Sequence, residues 1–200
     1  MLRYFLFYKP YQVLTQFSAE GEKKTLAHFF KNIPKDVYPV GRLDFDSEGL
    51  LLLSNDKKLT RQLLEPRNKH ERTYYVQVEG VLDEIARQKL EQGVEINVDG
   101  ALYKTLPSKA RIIEAEPHLP ERNPPIRFRK NIPTSWLALT LCEGKNRQVR
   151  KMTAAVGFPT LRLVRYSIGA FNIDGWEAGH IEELDEQKIC SLFQKTELSS

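Results

Sequence analysis

Gly41-Arg42-Leu43-Asp44-Phe45-Asp46-Ser47-Glu48-Gly49-Leu50-Leu51-Leu52-Leu53-Ser54-Asn55-Asp56 sets a carboxylate-rich loop directly ahead of an unbroken apolar run. Four successive leucines between turn-forming residues read as a short strand buried on both faces. Asp56 is placed to cap a following helix, with Leu59 and Leu63 one turn apart on its inner face and Pro66 closing it. A polar loop held at the head of a buried strand is where chemistry-bearing side chains are well supported. Arg42, Asp44, Asp46 and Glu48 are the residues on offer there.

Leu2 to Tyr8 reads as a buried strand ended by Lys9-Pro10. Thr25 can cap a short helix that presents Leu26, Phe29 and Phe30. Thr73 to Val78 alternates, with Tyr74, Val76 and Val78 on one face. Asp83 opens a helix and Gly93 closes it. Glu95 to Leu106 is a hairpin turning at Asp99-Gly100, the pairing that a tight two-residue turn favours. Lys109 to Glu114 and Trp136 to Leu141 are strands, separated by a proline-rich surface excursion. Asn146 to Val156 is a helix, Leu161 to Tyr166 a strand, and Glu182 to Gln194 a last helix. Short strands, interspersed helices and a hairpin give an α+β fold with a mainly antiparallel sheet rather than a doubly wound parallel one.

The chain has 200 residues, enough to bury a core without disulfide or metal staples. No apolar run approaches the roughly 20 residues of a bilayer span, and the N-terminus has no signal-peptide pattern. Two distant cysteines, Cys142 and Cys190, fit a reducing compartment, so a cytoplasmic protein is expected. The net charge is only +4, but it is unevenly spread. Arg122 to Lys151 carries eight bases against Glu143, a local +7, whereas the chain from Asp174 onward carries seven acids against two lysines, a local −5. That pattern points to a face that binds a polyanion, or to a solvated surface that happens to be basic.

The carboxylates of the opening loop admit several readings. Calcium binding fails, because Asn55 stands where an EF-hand needs a bidentate Glu and a strand replaces the exiting helix. Asp44-Phe45-Asp46-Ser47 resembles the D-x-D start of magnesium-dependent aspartyl phosphotransferases, which should end a buried parallel strand; Pro39, Gly41 and Arg42 precede it instead. A glycosidase would need a second acid across a cleft, and a capped polar turn needs no function at all. In the second segment, Glu143 to Met152, a helix would turn Val149, Met152, Thr153 and Val156 inward and Arg147, Arg150 and Lys151 outward. An RNA backbone clamp and a solvated helix face both fit. Periodicity reads Tyr74 first as a core tyrosine whose hydroxyl finds a partner, with an active-site tyrosine as the sharper alternative. No metal-ligand spacing, phosphate-binding loop or dinucleotide motif is present, so no metal and no cofactor are expected.

Taken together these segments resemble the RsuA-type ribosomal RNA pseudouridine synthases. Gly41 to Asp56 is similar to their catalytic motif, G-R-L-D-x-D-T/S-x-G-L-L-L-L-T-N-D. In the same order, Leu6 to Gln16 with Lys9-Pro10 resembles the opening K-P strand, and Arg72 to Val76 resembles K-x-Y-x-V. Glu143 to Met152 resembles E-G-R-N-R-Q-V-R-R-M, and Leu163 to Gly169 resembles L-x-R-x-x-I-G. The departures, Arg72 for Lys and Lys145 and Lys151 for Arg, keep the charge. Ile126 to Gly169 is most like the E-type large-subunit branch, which likewise opens without an S4 RNA-binding domain.

The resemblance implies one catalytic domain over residues 1–195, built as two subdomains around a central RNA-binding cleft. It implies isomerisation of a uridine in 23S ribosomal RNA, presented in a structured stem-loop, by a monomer without cofactor. Asp44 would be the nucleophile, Arg150 would pair with it and keep it ionised, and Tyr74 would stack on the uracil. Arg42 would fill the space left by the flipped nucleotide. Lys145, Asn146, Arg147, Lys151, Arg127, Arg129 and Lys130 would hold RNA. The alternatives are an RNA-binding or ribosome-assembly protein that needs no catalysis, and the magnesium-dependent phosphotransferase.

Overall fold

The computed structural model describes residues 1–126 and 132–190. The chain forms two compact units. One comprises Met1–His70 with the chain from Tyr166 onward, and the other comprises Glu71–Arg165.

In the first unit the strand Tyr4–Lys9 lies between Glu48–Ser54 and Ile181–Leu184, antiparallel to both. Every residue of Tyr4–Lys9 and of Glu48–Ser54 is buried, as their unbroken apolar runs require. Phe7 stands opposite Leu51 on one side and Ile181 on the other. Phe5, Phe7, Leu26, Phe30, Val37, Leu51 and Leu53 form one core cluster. The short strand Tyr38–Pro39 pairs antiparallel with Leu53 and Ser54, and Val13–Leu14 pairs parallel with Lys24–Thr25. Helix α1, Lys57–Leu64, starts as expected at Asp56, whose carboxylate accepts from the backbone N–H groups of Lys58 and Leu59. Leu59 and Leu63 are its buried residues.

In the second unit Arg72–Glu79 and Thr134–Leu141 pair antiparallel along their full length, from Thr134 opposite Glu79 to Leu141 opposite Arg72. Lys109–Ile113 pairs with the far edge of Thr134–Leu141. Helices α2, Glu84–Gln92, and α3, Gln148–Ala155, supply Ala86, Leu90, Val149 and Met152 to a core with Tyr74, Val76, Val78, Leu137 and Leu139. The hairpin Glu95–Val98/Ala101–Lys104 turns at Asp99 (φ 52°) and Gly100 (φ 88°), both left-handed as the tight turn demands. No regular element falls between Glu114 and Ile126.

Two expected elements differ. Residues 181–184 are not the start of the last helix. Ile181–Leu184 completes the edge of the first unit's sheet against Tyr4–Phe7, and the helix that follows, α4, covers only Glu186–Cys190 among the described residues. Leu184 is buried by that pairing, which outweighs the helical preference of its acidic neighbours. The remainder of the expected helix lies outside the described residues. Helix α3 begins at Gln148 rather than Asn146, because Arg147 has a left-handed backbone (φ 54°, ψ 31°) that no helix interior accepts.

Candidate active site

In the first unit the loop bearing Asp44 is pinned from both sides. Asp44 to Ser47 is a turn closed by a 3.1 Å bond from the Ser47 N–H to the Asp44 carbonyl, and the strand begins at the next residue. Upstream, the Val40 N–H donates to the Leu52 carbonyl at 2.8 Å. The segment after the first strand braces the loop laterally. The Thr15 hydroxyl donates to the Leu43 carbonyl at 2.7 Å, and the Gln12 N–H donates to the Phe45 carbonyl at 2.9 Å. The bracing segment is itself fixed by Lys9, which is fully buried and donates its ammonium to the carbonyls of Pro10 at 2.9 Å and Val13 at 2.8 Å. Leu43 is buried, which anchors the loop's backbone. Asp44 is half-buried and its neighbour Arg42 is exposed. Ser47 and Glu48 are buried, so they belong to the loop's foundation rather than to its open face.

This geometry decides against the phosphotransferase context. Asp44 precedes its strand, and that strand pairs antiparallel with Tyr4–Lys9. Among the described residues, no group of three or more His, Cys, Asp or Glu is arranged to hold a metal.

In the second unit Tyr74 stands opposite Leu139 on the inward face of its strand, in the core. Its ring is packed by apolar neighbours while its hydroxyl hydrogen-bonds to the buried side chain of Arg165. Burial pushes the Arg165 guanidinium below its ordinary pKa, and the nearby charge of Arg72 adds to that; Tyr74 opposes it. Arg165 lies in the Leu163–Gly169 motif, but nothing in that stretch of sequence shows its contact with a tyrosine 91 positions earlier.

The second motif forms a stapled basic loop. Glu143 and Gln148 are buried, and the Gln148 side-chain amide donates to the Glu143 carboxylate at 2.6 Å. Gly144, Lys145, Asn146 and Arg147 stand exposed between them. The Gln148 side-chain oxygen also accepts from the Lys145 N–H at 2.9 Å. Glu143 has two further donors, the Leu106 N–H at 2.8 Å and the Tyr103 hydroxyl at 2.5 Å. The Tyr103 hydroxyl is pushed up to about 12 by that bond, with burial adding to it, so it remains a donor through the neutral range. The Tyr103 ring, in turn, lies 4.7 Å from the Lys145 ammonium. Arg150 follows on α3, half-buried, with Lys151 beside it. The sequence shows the cations of this loop, and Glu143 and Gln148 within its motif, but neither the role of those two nor Tyr103, which together set its shape. Tyr103→Phe is expected to cost about 1–3 kcal/mol, because it leaves a buried carboxylate one donor short. A urea midpoint unchanged from the wild type would contradict this. Arg127, Arg129 and Lys130 lie outside the described residues.

Residues 3–155 match the model of the RNA pseudouridylate synthase family. The chain belongs to that family. It is 52% identical to ribosomal large subunit pseudouridine synthase E of Vibrio parahaemolyticus over 180 residues, 90% of this chain and 72% of the relative. It is 51% identical to the synthase of the same name from Xanthomonas axonopodis pv. citri over 168 residues, 83% of this chain and 85% of the relative. A crystal structure of a pseudouridylate synthase matches with a TM-score of 0.77 at 26% identity, covering 96% of this chain and 74% of that one. The α+β architecture with its mainly antiparallel sheet is therefore the pseudouridine synthase fold, and the chain is an RNA-modifying isomerase. The braced turn at Asp44, the core tyrosine and the stapled loop all fall within the span that the family model matches.

Proposed function

We propose that this synthase converts a uridine of large-subunit ribosomal RNA to pseudouridine, with Asp44 as its nucleophile. The observation that carries the proposal is the pinned turn at Asp44, a half-buried carboxylate held at the head of a fully buried strand. The large-subunit target is supported by relatives about half identical over most of the chain, which carry that substrate in their names. The reaction breaks the bond from N1 of uracil to C1′ of the ribose and forms one from C5 to C1′. The proton at C5 is released, and N1 gains one. A carboxylate can hold the detached fragment covalently and let it go, so nothing in this balance calls for an oxidant or a metal.

In this reading the edge of the Tyr74 ring that the core leaves uncovered meets the uracil, and Arg165 holds its hydroxyl. Arg150 supplies the cation that keeps a carboxylate ionised. Arg42, exposed and two residues from Asp44, takes the place of the extruded nucleotide. Lys145, Asn146, Arg147 and Lys151, with Arg127, Arg129 and Lys130, contact the RNA backbone. Action on ribosomal RNA fits a cytoplasmic location. The test is tritium release from unmodified large-subunit ribosomal RNA labelled at C5 of uridine, in the presence of EDTA. Release undiminished by EDTA is expected. RNA binding without release would contradict the proposal and leave a binding protein. Release abolished by the chelator would show a metal requirement.

A further inference from the structure

Helix α1 and the turn Pro66–Asn68 border a groove of about 710 Å³ in the first unit. Lys57, Lys58, Arg61, Gln62, Arg67 and Asn68 line it, together with Glu65. The helix has two sides. Leu59 and Leu63 are buried, whereas Lys57, Lys58, Arg61 and Gln62 are exposed. Four cations therefore face one acid, and that acid is 3.4 Å from Arg67. No carboxylate among the described residues pairs with Lys57, Lys58 or Arg61. A helix face carrying such charge is usually solvated and no more.

Two observations take this one further. First, every described side chain that lines the groove ends in a charged or amide group, and none of these is apolar or aromatic. Small-molecule pockets and the cores of protein interfaces are built largely from apolar and aromatic side chains, and a backbone of phosphates needs none. Second, the ridge of α1 that carries Lys57 and Arg61 leads to the loop of Asp44. Lys57, Arg61 and Leu64 follow one another along one ridge of α1, and a Cβ added at Gly41 would lie 3.2 Å from the Leu64 side chain. Gly41 (φ +77°) immediately precedes Arg42. A basic ridge thus begins beside the residue assigned to the vacated nucleotide and leads away from it.

We infer that the α1 groove binds the phosphate backbone of the RNA flanking the target uridine, with Lys57, Lys58 and Arg61 as the principal contacts. The inference rests on the proposed action on RNA and adds a second contact surface to it. Its role is affinity and register; the chemistry at Asp44 does not depend on it. A contacted phosphate contributes close to one unit to the salt dependence of binding.

The test measures filter binding of an unmodified large-subunit ribosomal RNA transcript against KCl concentration. The wild type is compared with Lys57→Ala/Lys58→Ala/Arg61→Ala and with Lys24→Ala/Lys31→Ala/Lys35→Ala, which removes equal charge from exposed lysines outside the groove. Tritium release is followed on the same transcript. The groove variant should bind about tenfold or more weakly near 0.1 M KCl, with a log–log salt slope shallower by about 2. Its kcat at saturating RNA should stay within about twofold of the wild type. Lys57→Arg/Lys58→Arg should retain wild-type binding, because the charge persists. Equal losses in the groove and control variants would overturn the inference by reducing it to net charge. An unchanged salt slope would overturn it in favour of an acidic protein partner or a solvated face. Absence of tritium release from the wild type overturns the proposed function alone, since the binding measurements decide the groove independently.

Discussion

Asp44→Asn should abolish tritium release, with a drop in kcat of about 10⁴-fold or more, the scale at which enzymes lose their nucleophile. An amide has nearly the same size and shape as a carboxylate but cannot form the ester-like link to a sugar or ring carbon that the isomerisation needs. The fold should tolerate the change. The turn is closed through the backbone carbonyl of residue 44, and its bracing bonds run to Leu43 and Phe45. The variant should therefore still unfold in one cooperative transition, and RNA binding should persist. A variant that folds, binds and keeps even a tenth of the activity would show that Asp44 is a turn residue and no more.

Phe7→Ala should have the opposite signature. Phe7 is fully buried, stands opposite Leu51 across the sheet, and packs its ring 5.1 Å from Phe29 and 5.2 Å from Phe30. Truncation leaves a void where three aromatic rings meet, at a cost of about 3–5 kcal/mol. Against a total stability on the order of 5–15 kcal/mol that is a large fraction, so Tm should fall steeply. Below the new transition the turnover per folded molecule should remain near the wild-type value, because Phe7 supports the strand behind the loop and takes no part in the reaction. Denaturant titration combined with active-site counting separates the two outcomes. A kcat that falls while the midpoint holds would contradict the assignment of Phe7 to the core.

Most of the architecture was legible because it is written locally. The caps at Asp56 and Asp83, the turn at Asp99-Gly100 and the alternation through Tyr74, Val76 and Val78 each act over a few residues, and each is found where the sequence places it. What was not legible depends on partners distant in the chain. Ile181–Leu184 is a strand only because Tyr4–Phe7 offers it an edge, some 177 positions away. Arg147 takes its left-handed turn where Gln148 bonds back to Lys145 and Glu143, and Glu143 is fixed by Tyr103, 40 positions earlier. The same division runs through the candidate site. Asp44 sits in a contiguous motif and could be singled out from it. Arg165 gains meaning only from its contact with Tyr74, and the basic ridge of α1 only from the approach of Leu64 to Gly41.

Modification of large-subunit ribosomal RNA through Asp44, as proposed, is tested most directly by mapping the product. Unmodified large-subunit RNA would be incubated with the wild type or with Asp44→Asn, treated with carbodiimide, and read by primer extension for stops at pseudouridine. The expected result is a stop at one uridine, or at a few neighbouring ones, that appears with the wild type and is missing with the variant. No wild-type stop in this RNA, or the same stop with both proteins, would contradict it.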